Sequence, residues 1–597
     1  MPSSLSAADV EHTITSARTA AGTPGGPYPS PADWRDQIIY FLLVDRFDNP
    51  RRTPVQQPFD DPNFFGFQGG SFDGVRAQLG YIKQLGAGAI WLAPVLKNLQ
   101  WDQGSYHGYA IHDFLSAQPR FATNPANADD ELRALVDDAH QHGLFVIFDI
   151  VLNHVGNVFA YQGGADQATF QPAPIAVEWR DANGIPNPAW TAVETVPAKP
   201  RDALVWPAEL QLNAYFRRQG NPAPGGDDTI GDFASLKQMR TDDPALQDAL
   251  IAAYQYVIAR YDVDGFRIDT LRYLKGDFPR IFGNAMREFA LTIGKENFFT
   301  FGEVLDQNAE QDIARFIGRN TQDPALPQFV GVDAALDYPL FNALKPVVKG
   351  FAPPAAVTDM YQQRKAIEAN ILSSHGDATR YFVSFLDNHD MKERIRYVDP
   401  TDAHRYDDQV TMGLACLYSL PGVPCIYYGT EQGLHGHGSD PAVREALWGG
   451  PGFDPNNPFY IHLQELAGNR AIVPALRYGR FYMRPVSGDG HTFGISRFSG
   501  GVLAFSRILS DSEITVVANT NTAQQLSVWV IVDSRLTPAN GATELIYSNK
   551  QAPSAPGTVQ ALSNTVVNEP DGTTSTGTLH AVHVDLAPLE AQIISVA

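Results

Sequence analysis

Apolar positions in this chain fall into short runs separated by amphipathic stretches. The runs are IIYFLLV (38 to 44), AGAIWLAPV (87 to 95), LFVIFDIVL (144 to 152), VDGFRID (263 to 269), NFFTFGEVL (297 to 305), FVGVDAAL (329 to 336), YFVSFLD (381 to 387) and VPCIYYG (423 to 429). Each is rich in β-branched or aromatic residues and reads as a strand. Between them, stretches such as DDELRALVDDAHQHG and DPALQDALIAAYQYVIARY carry apolar residues at helical spacing. This alternation predicts an α/β protein with a parallel sheet, closed at about eight units into a (β/α)8 TIM barrel over residues 34–154 and 236–480.

Two intervals break the rhythm. Residues 155–235 are rich in Gly, Pro, Asn and Asp (FAYQGGADQATFQPAP, GIPNPAW, NPAPGGDD) and show no strand-helix alternation. So long a loop reads as an inserted subdomain, placed after strand 3 and over the barrel mouth. Beyond residue 480 helical spacing vanishes, and HTFGISRF, GVLAFSRIL, EITVVANT, LSVWVIV, HAVHVDL and AQIISVA alternate like antiparallel strands. Residues 481–597 therefore read as a C-terminal antiparallel β-sandwich, and residues 1–33 as a partly ordered N-terminal extension.

Composition narrows the function classes. The 597 residues are 44% hydrophobic and 18% charged, with a net charge of -22. That balance repels nucleic acid and anionic membranes but not a neutral substrate. No apolar stretch reaches the roughly 18 residues of a membrane span. The start of the chain lacks the basic opening and apolar core of a secretion signal, so a soluble cytoplasmic protein is expected, or a secreted one if a leader precedes this sequence. Cys416 and Cys425 have neither metal-ligand nor redox-motif spacing and read as buried apolar residues. Oligomeric state is left open.

In a (β/α)8 barrel the reacting groups sit where strands end, and here the predicted strand ends carry acids. DIVLNH ends in Asn153 and His154, GFRID in Arg267 and Asp269, FGEVLD carries Glu303, and FLDNHD adds His389 and Asp390. Residues two apart on a strand face the same way, so Arg267 and Asp269 point into the barrel mouth while Phe266 and Ile268 face the helix layer. A single acid beside an arginine is more often a structural ion pair. Several acids at equivalent strand ends imply a shared task, because like charges repel. Paired carboxyl groups cleave a glycosidic bond when one stays ionised as nucleophile and the other holds a proton. Arg267 is expected to lower the pKa of Asp269, whereas Glu303, flanked by Phe301 and Val304 with no adjacent cation, suits the proton-holding role. Asp390 would be a third carboxylate, binding sugar hydroxyls and helping to keep Glu303 protonated.

In this arrangement the chain resembles the α-amylase family, glycoside hydrolase family 13. Its four signature segments look like DIVLNH (149 to 154), GFRIDTLRY (265 to 273), FGEVL (301 to 305) and FLDNHD (385 to 390), in the family's order. The resemblance extends from about Trp34 to the C-terminus. It implies Asp269 as nucleophile, Glu303 as general acid and base, Asp390 as transition-state stabiliser, and retention at the anomeric carbon. It also implies that Tyr109 and His107 in SYHGYAIHDF, and Asp440 and Arg444 in EQGLHGHGSDPAVREALW, contact the sugar at the cleavage point, with His154, Arg267 and His389 beside them. Asn153 matches a residue that in many relatives holds a structural calcium ion (Ca2+), with contributors from the insertion left open among Asp166, Asp181, Asp227 and Asp228. A second calcium position is suggested by Asp45, Asp48 and Asn49. It is weakened by GGS at Gly69 to Ser71, where relatives with that calcium often carry GGD.

One departure bears on specificity. Many starch amylases place a Lys-His pair after the nucleophile to hold the reducing-side sugar; here Arg272 and Tyr273 stand there. Thr270 is of the type seen in relatives that cut α-1,4 links. The expectation is a retaining enzyme acting on α-1,4-linked glucose oligosaccharides, with no organic cofactor. Alternatives are a transglycosylase using the same double displacement with a sugar or alcohol acceptor, and a non-catalytic carbohydrate-binding relative.

Overall fold

The computed structural model describes residues 2–57, 61, 63–305, 309–320, 330–368, 371–373, 376–569 and 571–596. Eight parallel strands form the barrel: β1 (Ile39–Leu42), β2 (Ala89–Leu92), β3 (Phe145–Val151), β4 (Gly265–Asp269), β5 (Phe299–Gly302), β6 (Ala334–Ala335), β7 (Val383–Ser384) and β8 (Val423–Tyr427). Each predicted run supplies one; residue 329, the first of the sixth run, lies outside the described residues. The sheet closes where Leu336 bridges Val383 and the Asp337 N–H donates to the Val383 carbonyl at 2.9 Å. β1, β2, β4 and β8 are buried at every position, because one face meets the barrel interior and the other the helix layer. Phe266 shows the outer face: its ring meets Tyr254 at 5.6 Å on the helix Pro244–Tyr261.

β6 and β7 are shorter than their apolar runs suggest. Before β7 the chain turns through Ala378–Tyr381, set by the Asp377 carboxylate accepting from the Thr379 N–H. Before β6, the Asp333 N–H donates to the Thr300 carbonyl at 3.0 Å and its carboxylate accepts from the backbone and hydroxyl of Thr300.

After β3 the chain leaves the barrel at His154–Val155, which pairs antiparallel with Lys237–Gln238. Between these strands lie one further strand pair, Phe159–Tyr161 with Val177–Trp179, and several short turns. The chain re-enters through the helix Pro244–Tyr261, whose start is fixed by Pro at its first position and by Asp243 accepting from two backbone N–H groups. The C-terminal part is two five-stranded sheets enclosing Val502, Val517, Val530, Val582 and Ile594.

The N-terminal segment is more ordered than its composition predicts. Ala8–Ala20 is a helix with Val10 buried. Ser4 donates to Glu209 of the insertion, and the Tyr28 ring stacks on His140 at 4.1 Å. These partners are distant in sequence, so local composition gave no sign of them. Cys416 and Cys425 are free and buried, and among the described residues no helix is long and apolar enough to cross a membrane.

Candidate active site

The acids converge at the C-terminal ends of β3, β4, β5 and β7. Strand register explains the meeting: Arg267 on β4 lies opposite Asp149 on β3 and Phe301 on β5, which brings Glu303 level with Asp269. Arg267 is fully buried and works as a fork. One terminal nitrogen donates to Asp149 at 2.8 Å and to Asp269 at 2.9 Å, and the other donates to Glu303 at 2.8 Å.

This corrects one expectation and adds to another. Glu303 does have a cation beside it, because the arginine lies on the neighbouring strand and not next to it in sequence. Arg267 lowers the Asp269 carboxyl as expected, but does not bring it down to the ordinary range. Burial pushes its carboxyl well above the usual range; Arg267 pulls against this, but Glu303, Asp149 and Asp390 add to the rise. One guanidinium shared among three carboxyl groups cannot keep all of them ionised at low cost.

Glu303 has a second donor, the Thr270 N–H at 3.1 Å to the same oxygen that Arg267 holds. Thr270 reaches it by adopting a left-handed backbone, φ 49°, a conformation strained for a β-branched residue. The turn Leu271–Tyr273 follows directly.

Tyr109 lies between His107 and His389, with ring centroids 5.6 Å and 5.5 Å away. Its hydroxyl donates to Asp149 at 2.8 Å and lies 2.7 Å from His389 Nε2, which in turn is 3.2 Å from Asp390. His154 Nε2 lies 4.0 Å from Asp269. Burial drives all three histidines toward neutrality: His107 down to about 3, His154 down to about 4, and His389 well below its ordinary value. They are therefore neutral hydrogen-bonding groups at neutral pH. The backbone N–H of Tyr109 donates to His107 Nδ1 at 3.0 Å, which leaves the ring proton on Nε2.

Arg444 donates to Asp390 at 3.0 Å, to the His389 carbonyl at 2.9 Å and to the Tyr106 hydroxyl at 3.2 Å. Asp440 is more exposed and stands 3.9 Å from Arg444. At the rim, Arg272 donates to Asp228 of the insertion at 2.9 Å, and the Tyr273 ring meets Phe233 edge-on at 4.8 Å.

A family model described as the alpha-amylase catalytic domain matches residues 41–465. The chain belongs to the alpha-amylase family. An alpha-amylase from Streptomyces lividans is 28% identical over 520 residues, covering 77% of this chain and 52% of that protein. The chain thus spans about half the length of that curated relative. The crystal structure of an alpha-amylase from Geobacillus thermoleovorans complexed with acarbose has a TM-score of 0.62 at 23% identity, covering 95% of this chain and 99% of that one. A cyclomaltodextrin glucanotransferase with a three-domain ABC distribution has a TM-score of 0.65 at 19% identity, covering 94% and 99%. These two likenesses show a shared fold.

Sequence reasoning missed one member of this alpha-amylase-family site, Asp149. It was read as part of an apolar strand, yet it accepts from Arg267, from Tyr109 and from Trp91 Nε1 at 3.1 Å. Burial pushes its carboxyl up to about 7, with Arg267 opposing. The available signal was an aspartate inside an otherwise apolar run, since a buried carboxylate needs partners.

The residues proposed for calcium do not form a cage in this alpha-amylase-family chain. Asn153 Oδ1 accepts from the Gln238 side-chain amide at 3.2 Å. Asp166 pairs with Arg180, Asp181 accepts from the N–H groups of Asn183 and Ile185, Asp227 from Thr229, and Asp228 from Arg272. In the first loop, Asp45 pairs with Arg46, Asp48 accepts from Gln78, and Asn49 bonds to Gly69 and Arg51. Among the described residues no group of three or more His, Cys, Asp or Glu side chains is placed to hold a metal ion.

Proposed function

We propose that this chain is a retaining α-glycosidase acting on α-1,4-linked glucose oligosaccharides. The observation that carries the reading is the Arg267 fork, which binds Asp269 and Glu303 through its two terminal nitrogens. Carboxyl groups sharing one guanidinium are consistent with the separation of about 5–5.5 Å used by retaining pairs. Asp269 attacks the anomeric carbon and forms a covalent glycosyl-enzyme. Glu303 gives its proton to the leaving oxygen and then takes one from water. Arg267 and the Thr270 N–H both bond to Oε2 of Glu303, which assigns the proton transfer to Oε1. Asp390, held by Arg444, and the neutral pair His154 and His389 bind hydroxyls of the same sugar. The neutral histidines suit an uncharged substrate.

Transfer to a sugar acceptor is a second reading, favoured by the acceptor-side rim. There Tyr273 and Phe233 offer aromatic surface and Arg272 is anchored by Asp228, a surface on which a sugar ring can compete with water. The set Asp269, Glu303, Asp390 and Arg267 argues against a purely binding role, which has no use for a nucleophile and an acid. The test is product analysis on maltooligosaccharides, with and without a free sugar acceptor, following the anomer by NMR. An α-anomer as first product is expected; a β-anomer sinks the retaining mechanism, and no turnover on any α-glucan revives the binding role.

A further inference from the structure

The stem that joins insertion to barrel contains a buried cation of the protein's own. Lys237 lies opposite Val155 in the stem ladder, and its side chain is 0% exposed. Its ammonium donates to the Asp166 carbonyl at 2.5 Å, lies 3.5 Å from the Asp232 carboxylate, and sits over the rings of Phe159 at 5.1 Å and Tyr161 at 4.7 Å. A carbonyl oxygen, a carboxylate and two aromatic faces are the surroundings a buried cation needs.

The neighbours complete the arrangement. Asp232 also accepts from the Tyr161 hydroxyl at 2.6 Å and from the Gln238 N–H at 2.9 Å. The Gln238 amide donates to Asn153 Oδ1 and, at 3.0 Å, to the Thr229 carbonyl, while its own carbonyl accepts from the Gly231 N–H at 2.7 Å. Adjacent residues of one short strand thus tie three parts of the insertion to the end of β3. The local charges balance, with Lys237 and Arg180 facing Asp232 and Asp166. Calcium requires six to eight oxygen ligands; here the oxygens around Asn153 are taken by N–H donors, and a divalent ion would be added to a neutral set.

We propose that the Lys237 ammonium is the cation that locks the insertion onto the barrel in this chain, so that the lock is internal and needs no calcium. Lys237 touches no part of the reacting centre; it acts as a positioning residue through Gln238, Asn153 and His154.

The test uses the full chain. Thermal melts are recorded after exhaustive dialysis against EDTA and again with millimolar calcium chloride, alongside calorimetric titration with calcium. Superimposable melts and no binding heat are expected; a saturable rise in Tm with calcium overturns the proposal. In parallel, Lys237→Met is expected to lower Tm by roughly 5 °C or more and to open residues 155–235 to protease, with Lys237→Arg in between. Adding Asp232→Asn to Lys237→Met should recover part of the loss, because it removes the stranded anion. A Lys237→Met protein that melts and resists protease like the parent overturns the lock. Should Lys237→Met not fold, the calcium experiments on the parent still decide.

Discussion

Arg267 and Glu303 are joined at 2.8 Å across two neighbouring strands, while the other arm of the same guanidinium holds Asp269 and Asp149. A lysine keeps the charge but cannot span three carboxyl groups. Arg267→Lys should lower kcat/KM by roughly a hundredfold or more while far-UV circular dichroism stays native. Near-parent kcat/KM would show that charge alone, and not the fork, serves the site.

Asp269→Asn should abolish turnover with the fold intact, and Glu303→Gln should separate substrates by leaving group. A general acid contributes roughly a hundredfold to ten-thousandfold, and an activated aryl leaving group needs little of it. Glycosylation-step rates on maltooligosaccharides should therefore collapse while those on aryl glycosides persist. Equal losses on both would remove Glu303 from the acid role.

Asp149 links the site to stability. Its carboxyl is raised from 3.8 to about 7 by burial, so the folded state binds a proton that the unfolded state has released. Its contribution is fully present below about pH 4 and is lost as pH rises through about 7. Asp149→Asn should flatten the stability profile between those values, by up to about 4 kcal/mol. Chemical denaturation at several pH values measures the slope, and parallel parent and variant profiles would refute the link.

Arg272→Ala tests the rim. The Arg272–Asp228 pair has an acid that is 60% exposed, so its loss should change stability by less than about 1 kcal/mol. The ratio of transfer to hydrolysis, read by chromatography with an added acceptor, should fall. A ratio equal to the parent's would clear Arg272 of any part in acceptor choice.

The barrel was legible because strands covered on both faces appear as continuous apolar runs, and eight of them recur between helical patterns. Arg267 and Asp269 were legible as a pair because a strand repeats every two residues. The sharing of Arg267 with Glu303 was not, since it depends on the register of β4 against β5. Asp149 was hidden by the apolar residues around it. Lys237 and Gln238 stand at the end of a Gly- and Asp-rich loop, where local sequence says nothing about a partner 85 residues away on Asn153. The order of the N-terminal segment was unreadable for the same reason, as the anchors of Ser4 and Tyr28, Glu209 and His140, belong to other parts of the chain.

The barrel's closure is uneven around its circumference. β3 and β4 share five paired residues and β4 and β5 share four, whereas β6 and β7 meet through the single bridge between Leu336 and Val383. That seam is where amide exchange should be fastest. Opening there would move the wall that carries Asp390 relative to the wall that carries Asp269. Under the proposed mechanism the attacking carboxylate is mounted where strand pairing is longest and the sugar-gripping acid beside the seam, so the cleft would relax around a bound chain without disturbing the aim of the attacking oxygen.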